Sequence, residues 1–115
     1  MKVVTRQELI HMPAGTLYHE WRPAYFGDLC IKGESIEHPG KGLQDWWSQL
    51  VPQVDHETPM EGLADLDDGK TVALTFDCEG RDALFDDEIR YAVWSREDVE
   101  AFRDRLTKAL EDSAE

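Results

Sequence analysis

Apolar and polar positions along this 115-residue chain repeat with two periods. From Thr16 to Trp21 they alternate among good β-formers, which predicts a strand that Pro23 ends. Leu29-Cys30-Ile31-Lys32, between Gly27 and Gly33, predicts a second strand. Residues 34–42 hold Pro39, Gly40 and Gly42 and read as loop. Residues 45–51 suit strand or helix, and Trp46-Trp47 tips them to strand. Residues 70–77 place Val72, Leu74 and Phe76 on one face, and Ile89, Tyr91 and Val93 repeat that period of two. These two segments predict an antiparallel hairpin with a long connection through Gly80 and Asp86-Asp87. The period then changes to that of a helix. Val99, Phe102, Leu106, Ala109 and Leu110 fall on one face, which is expected to pack on the sheet.

Capping chemistry sets the helix starts. Thr5-Arg6-Gln7-Glu8 reads as a capping box, and Pro13 and Gly15 keep that helix short. Ser95, with Asp98 three residues on, caps the C-terminal helix. Residues 52–69 are acidic and turn-rich, with a helical turn expected near Met60 to Leu66, and form the expected mobile region. The whole chain, 1–115, reads as one α+β domain: an antiparallel β-sheet, a short N-terminal helix and an amphipathic C-terminal helix packed on it.

Composition narrows the function classes. Apolar residues make up 41%, too many for a disordered chain. Twelve basic against 25 acidic residues give a net charge of −13, a field that repels double-stranded nucleic acid and anionic membrane. An anionic ligand would need a local cluster of positive charge. Cys30 and Cys78 lie in apolar segments without C-x-x-C spacing and read as small buried hydrophobes. No signal-length or membrane-length apolar run occurs, so a cytoplasmic location is expected.

Signatures of catalysis and metal binding are missing. His11, His19, His38 and His56 are scattered, and the Asp65–Gly69 stretch lacks the carboxylate that a calcium loop needs at Thr75. There is no G-x-S-x-G, P-loop or G-x-G-x-x-G, and neither cysteine has an activating context. The expectation is a binding protein, not an enzyme, with no metal or cofactor. Trp46 and Trp47 should leave their strand on opposite faces, so that one ring can enter the core while the other, Trp47, faces a subunit or a ligand; packing of both rings within the monomer is the alternative. Arg81, Arg90, Arg96, Arg103 and Arg105 gather in the last 35 residues. They suit either ordinary ion pairs, such as Glu100 with Arg103, or a phosphate clamp.

Two segments carry a resemblance. The first runs Thr5-Arg6-Gln7-Glu8-Leu9, Met12 to Tyr18 and Tyr25 to Lys32; the second runs Leu74 to Asp77, Arg81 to Asp87, Ala92-Val93-Trp94 and Glu97-Asp98-Val99. Together they resemble the first-described type of Thoeris anti-defence sponge, phage proteins that sequester glycocyclic ADP-ribose signals in the host cytoplasm. The resemblance implies a homo-oligomer, dimer or hexamer, with nucleotide pockets between subunits. It also implies a possible second capacity for cyclic di- or trinucleotides of CBASS immunity. It implies Phe76 as the ring that stacks on adenine and Arg103 as a phosphate ligand. Asp86 stands where a polar amide is common. Thr107 replaces a second arginine, a loss for which Arg81 and Arg90 are candidate compensation. The sequence keeps two other readings open. The chain could be an acidic, DNA-imitating inhibitor that covers the basic surface of a defence nuclease, or a hydrolase acting on a nucleotide.

Overall fold

Val4 is buried in a strand that the sequence reading does not anticipate. In the computed structural model, which describes residues 1–77 and 79–113, Lys2–Thr5 forms β1. The expectation for Cys78 lies outside the described residues. Thr5 then caps α1 (Arg6–Ile10): its hydroxyl accepts from the Glu8 amide and the Glu8 carboxylate accepts from its own amide, the reciprocal box read from sequence. β2 (Leu17–Arg22), β3 (Tyr25–Phe26), β4 (Leu29–His38) and β5 (Gly42–Val51) follow. After them come β6 (Gln53–Val54), α2 (Pro59–Asp67), β7 (Leu74–Thr75), β8 (Glu79–Arg81), β9 (Arg90–Val93) and α3 (Arg96–Asp112).

The main sheet runs β1-β9-β2-β4-β5-β8, with β3 added to β2, and all its pairs are antiparallel. Alternation puts Val4, Tyr18, Trp46, Tyr91 and Val93 on one face, where Leu9 and Ile10 of α1 close over them to form the core. Trp46 is fully buried and Trp47, on the opposite face, is 39% exposed, as their adjacency predicts.

Three expectations are corrected. Residues 34–42 are mostly strand: only 39–41 turn, with Gly40 at φ +76° and the Lys41 amide bonded to the His38 carbonyl. The alternation there is broken by a register shift after Lys32, which hid the strand. Gly33 sits in that shift because a Cβ would come within 2.9 Å of the Trp47 Cβ. The expected hairpin between 70–77 and 89–93 does not form. β7 is two residues long and pairs with β6, while β9 lies between β1 and β2. Strand partners are set by which face can be buried, and the N-terminal β1 supplies the partner that covers Tyr91 and Val93.

The third correction concerns α3. Ser95 and Asp98 form the predicted capping box. Yet α3 contributes no buried side chain among the described residues, and Val99, Phe102, Leu106 and Leu110 are 36–74% exposed. Its root is held by Trp94, whose ring meets Phe102 edge-on at 5.5 Å. The helix therefore projects from the sheet. The Cα radius of gyration is 16.3 Å, against about 13 Å for a compact chain of this length.

Candidate functional site

The core face of the sheet opens into a cleft of about 620 Å³. Tyr18, Glu20 and Arg22 reach it by alternation along β2, Tyr91 from β9, and Cys30 and Ser48 from β4 and β5. Arg81 and Asp82 close it from β8 and the turn after it. Two of its lining residues, Tyr18 and Tyr91, belong to an aromatic triad completed by the buried Trp46. Tyr18, Trp46 and Tyr91 meet edge-to-face, with centroids 5.6–6.2 Å apart. The Trp46 indole N–H donates to the Tyr18 hydroxyl at 2.9 Å, and that hydroxyl is bonded to Ser48 Oγ at 2.6 Å.

The electrostatics of the cleft are acidic. Glu20, Asp28, Glu79 and Asp82 face two guanidiniums, Arg22 and Arg81. Both guanidiniums already hold carboxylates: Arg22 meets Glu20 at 3.3 Å, and Arg81 meets the fully buried Asp45 at 3.0 Å. Burial pushes the Asp82 carboxyl above its ordinary range, against the Leu84 amide and the Arg6 guanidinium, which favour its charge. Burial likewise raises the Tyr18 and Tyr91 phenols and the Cys30 thiol. Two polar atoms of the lining, Tyr91 OH and Asp82 Oδ2, have no hydrogen-bond partner among the described residues.

The residues singled out in the sequence are spread more widely. Arg81 is in the cleft, but its Nε is committed to Asp45. Cys30 is half-buried on the cleft wall, where a buried hydrophobe was expected. Phe76 is 56% exposed on the segment between β7 and β8, at the β8 edge of the sheet. Arg103 and Thr107 lie on α3, which leaves the sheet beside β1 at the other edge. Arg90 is exposed on β9, opposite Thr5 and Trp21. Asp86 caps an exposed turn through the Glu88 amide. Within one chain, Phe76 and Arg103 therefore belong to opposite edges. The Glu100–Arg103 ion pair is replaced by Arg96–Glu100 and Arg103–Asp104, all exposed.

Sequence reading missed Tyr18, Tyr91 and Asp82. Tyr18 and Tyr91 sit in patterns that predict their strands and Asp82 in an expected connection, but the cleft exists only because β9 pairs with β2, and no local signal announces that pairing. His19 was read as unremarkable and is locally bonded. Its Nε2 accepts from the Trp94 indole at 2.9 Å, so Nδ1 carries the proton it donates to the Gly27 carbonyl.

The fold and cleft define an α+β domain with a ligand-sized depression and a projecting, uncovered amphipathic helix. No protein-family model, curated protein or solved structure matches the chain. No helix among the described residues is long and apolar enough to cross a membrane.

Proposed function

We propose that this protein is a homo-oligomeric sponge that holds cyclic nucleotide signals of the glycocyclic ADP-ribose class without cleaving them. The observation that carries the reading is α3. A seventeen-residue helix keeps its apolar stripe in water and carries Arg103 at 70% side-chain exposure. Exposed aliphatic and aromatic side chains at helical spacing favour cover by a second surface. A second copy of the chain is the occupant the resemblance implies. Phe76, exposed at the far edge of one sheet, then belongs with Arg103 of a neighbouring copy rather than its own. Trp47, on the uncovered sheet face, is available to the same assembly.

The acidic cleft is a poor home for a pyrophosphate, since Glu20, Asp28, Glu79 and Asp82 line it and its Arg81 is held by the buried Asp45. A site at α3 answers that difficulty, because Arg103 meets only an exposed neighbour, Asp104, at 3.3 Å. Such a surface pair contributes little and yields readily to a phosphate.

Calorimetry with glycocyclic ADP-ribose and with a cyclic trinucleotide tests the proposal. Saturable heat, retention through gel filtration and recovery of intact ligand after denaturation are expected. Phe76→Ala and Arg103→Ala should each weaken uptake by about tenfold or more, the loss of one stacked base or one charge-assisted contact. Absence of heat and retention with every candidate signal overturns it. Recovery of a cleaved ligand makes the protein a hydrolase instead.

A further inference from the structure

We infer that the cleft on the core face of the sheet is a binding site for a free aliphatic polyamine, separate from the proposed nucleotide site. Two buried residues of its lining leave a polar atom without a partner among the described residues. Tyr91 is 1% exposed, lines the cleft and has no partner for its hydroxyl among the described residues. Asp82, its side chain 10% exposed, lines the same cleft and leaves Oδ2 without a hydrogen bond. The nearest cation to that oxygen, Arg6 Nη2, stands 3.9 Å away and spends its own hydrogen bond on the Gln44 carbonyl at 2.7 Å. An ammonium group has three donors and no acceptor, which is the complement that a carboxylate oxygen and a phenol oxygen without partners call for. A phosphate brings no donor for Asp82 Oδ2 and meets the like charges of Glu20, Asp28 and Glu79.

The rest of the lining selects among amines. Glu20, Asp28 and Glu79 add negative charge around the rim, and the two guanidiniums present are already paired. Tyr18, Tyr25 and Tyr91 add phenol rings, whose faces attract cations. A cavity of about 620 Å³ is large for a single ammonium and accommodates a chain of methylenes carrying several. The global charge of −13 concentrates polycations at this surface. The Arg6 Nε–H, a third unpartnered atom, is a donor and is not on the lining.

Spermidine is the probe, titrated by calorimetry and by amide chemical shifts at near-physiological ionic strength, with inorganic phosphate as the anionic control. One saturable site per chain is expected, with shifts confined to β2, β9 and the turn at Asp82. Asp82→Asn should weaken it by about tenfold or more, because a charge-assisted bond is lost. Tyr91→Phe, which keeps the ring, should weaken it by a few-fold. Glu57→Gln removes one exposed charge outside the cleft and should leave binding unchanged. An equal loss in all three variants would mean diffuse attraction to an acidic surface and overturns the proposal. So would phosphate competing for the site, a lysine-rich peptide binding where spermidine does not, or a spermidine-soaked crystal with only water bridging Tyr91 and Asp82. Failure here leaves the nucleotide reading intact, since the variants touch neither Phe76 nor Arg103.

Discussion

The guanidinium carbon of Arg6 stands 4.7 Å from the centroid of the Trp46 ring, and neither side chain is more than 2% exposed. This arginine comes from the first turn of α1 and fastens it to the middle of β5. It also donates to the Gln44 carbonyl and is the closest positive charge to Asp82. Replacing it with alanine removes the ring contact, strands a carbonyl and leaves a buried carboxylate uncompensated. Arg6→Ala should cost about 2–5 kcal/mol, because the ring contact and the hydrogen bond to Gln44 are lost and a buried cavity is left. Arg6→Lys keeps the charge and loses the planar fork, and should cost about half as much. Urea unfolding with an unchanged slope measures both. A change below about 1 kcal/mol for Arg6→Ala would show that the contact is incidental.

Tyr18→Phe probes the hydrogen-bonded chain that joins Trp46 to Ser48. The ring volume and the edge-to-face contacts stay, while the Trp46 indole N–H and Ser48 Oγ lose their common partner. A buried donor left unsatisfied costs about 1–3 kcal/mol. Ser48→Ala, which spares the indole, should cost less. The two urea midpoints decide, and a reversed order rejects the donor assignment.

Much of the local structure was legible in the sequence, because it rests on local chemistry. Both capping boxes, at Thr5 and Ser95, follow from a hydroxyl and a carboxylate three residues apart. The opposed faces of Trp46 and Trp47 follow from the geometry of a strand. The pairing of β9 did not follow, since its partners Lys2–Thr5 and Leu17–Arg22 are some seventy to ninety residues away and carry no mark that names them. The cleft was hidden for the same reason. The exposed face of α3 was misread from a sound rule: an amphipathic stripe predicts burial, but not whether the burying surface belongs to the same chain.

That distinction yields a prediction about assembly. Leu106 is 49% exposed in the single chain, so Leu106→Glu should change the stability of an isolated subunit by less than about 0.5 kcal/mol. In an assembly that covers α3 the same change buries an unpaired charge. Light scattering should show the native protein as a dimer or larger species and the variant as a monomer, with matching far-ultraviolet circular dichroism. A native protein that stays monomeric at high micromolar concentration removes the assembly half of the proposed function.

The start of α3 has its own pH dependence. The α-ammonium of Met1 meets Asp98 Oδ2 at 2.6 Å, and the Ser95 amide donates to the same carboxylate at 2.9 Å. The ammonium first, then Ser95, holds the Asp98 carboxyl down to about 2. A folded value below the ordinary 3.8 means that the contribution is complete above that value and is lost as pH falls from about 4 towards 2. Amide shifts of Ser95 and Asp98 should therefore titrate with a midpoint near 2, and Asp98→Asn should flatten them. A midpoint at the ordinary carboxylate value would show that the cap and the N-terminal ammonium do not grip this side chain in solution.

Asp82 should behave in the opposite sense. Burial raises its carboxyl above the ordinary 3.8, so the charged form is disfavoured in the folded chain. The cost is fully present above the raised folded value, where both folded and unfolded chains are ionised. It shrinks as pH falls through the raised folded value and is gone only below the ordinary 3.8. Asp82→Asn keeps an oxygen for the Leu84 amide and removes the charge. The variant should be more stable than the native protein at pH 7, by up to about 1 kcal/mol, with the gap closing as the solution is acidified towards pH 4. The same variant should lose spermidine binding, so stability and ligand affinity move in opposite directions at one residue, as they do where a site holds strain for a guest. Urea midpoints of the two proteins at pH 7 and pH 4 provide the comparison. A variant that is less stable at both values, by a constant amount, would make Asp82 a structural partner of Arg6 and nothing more.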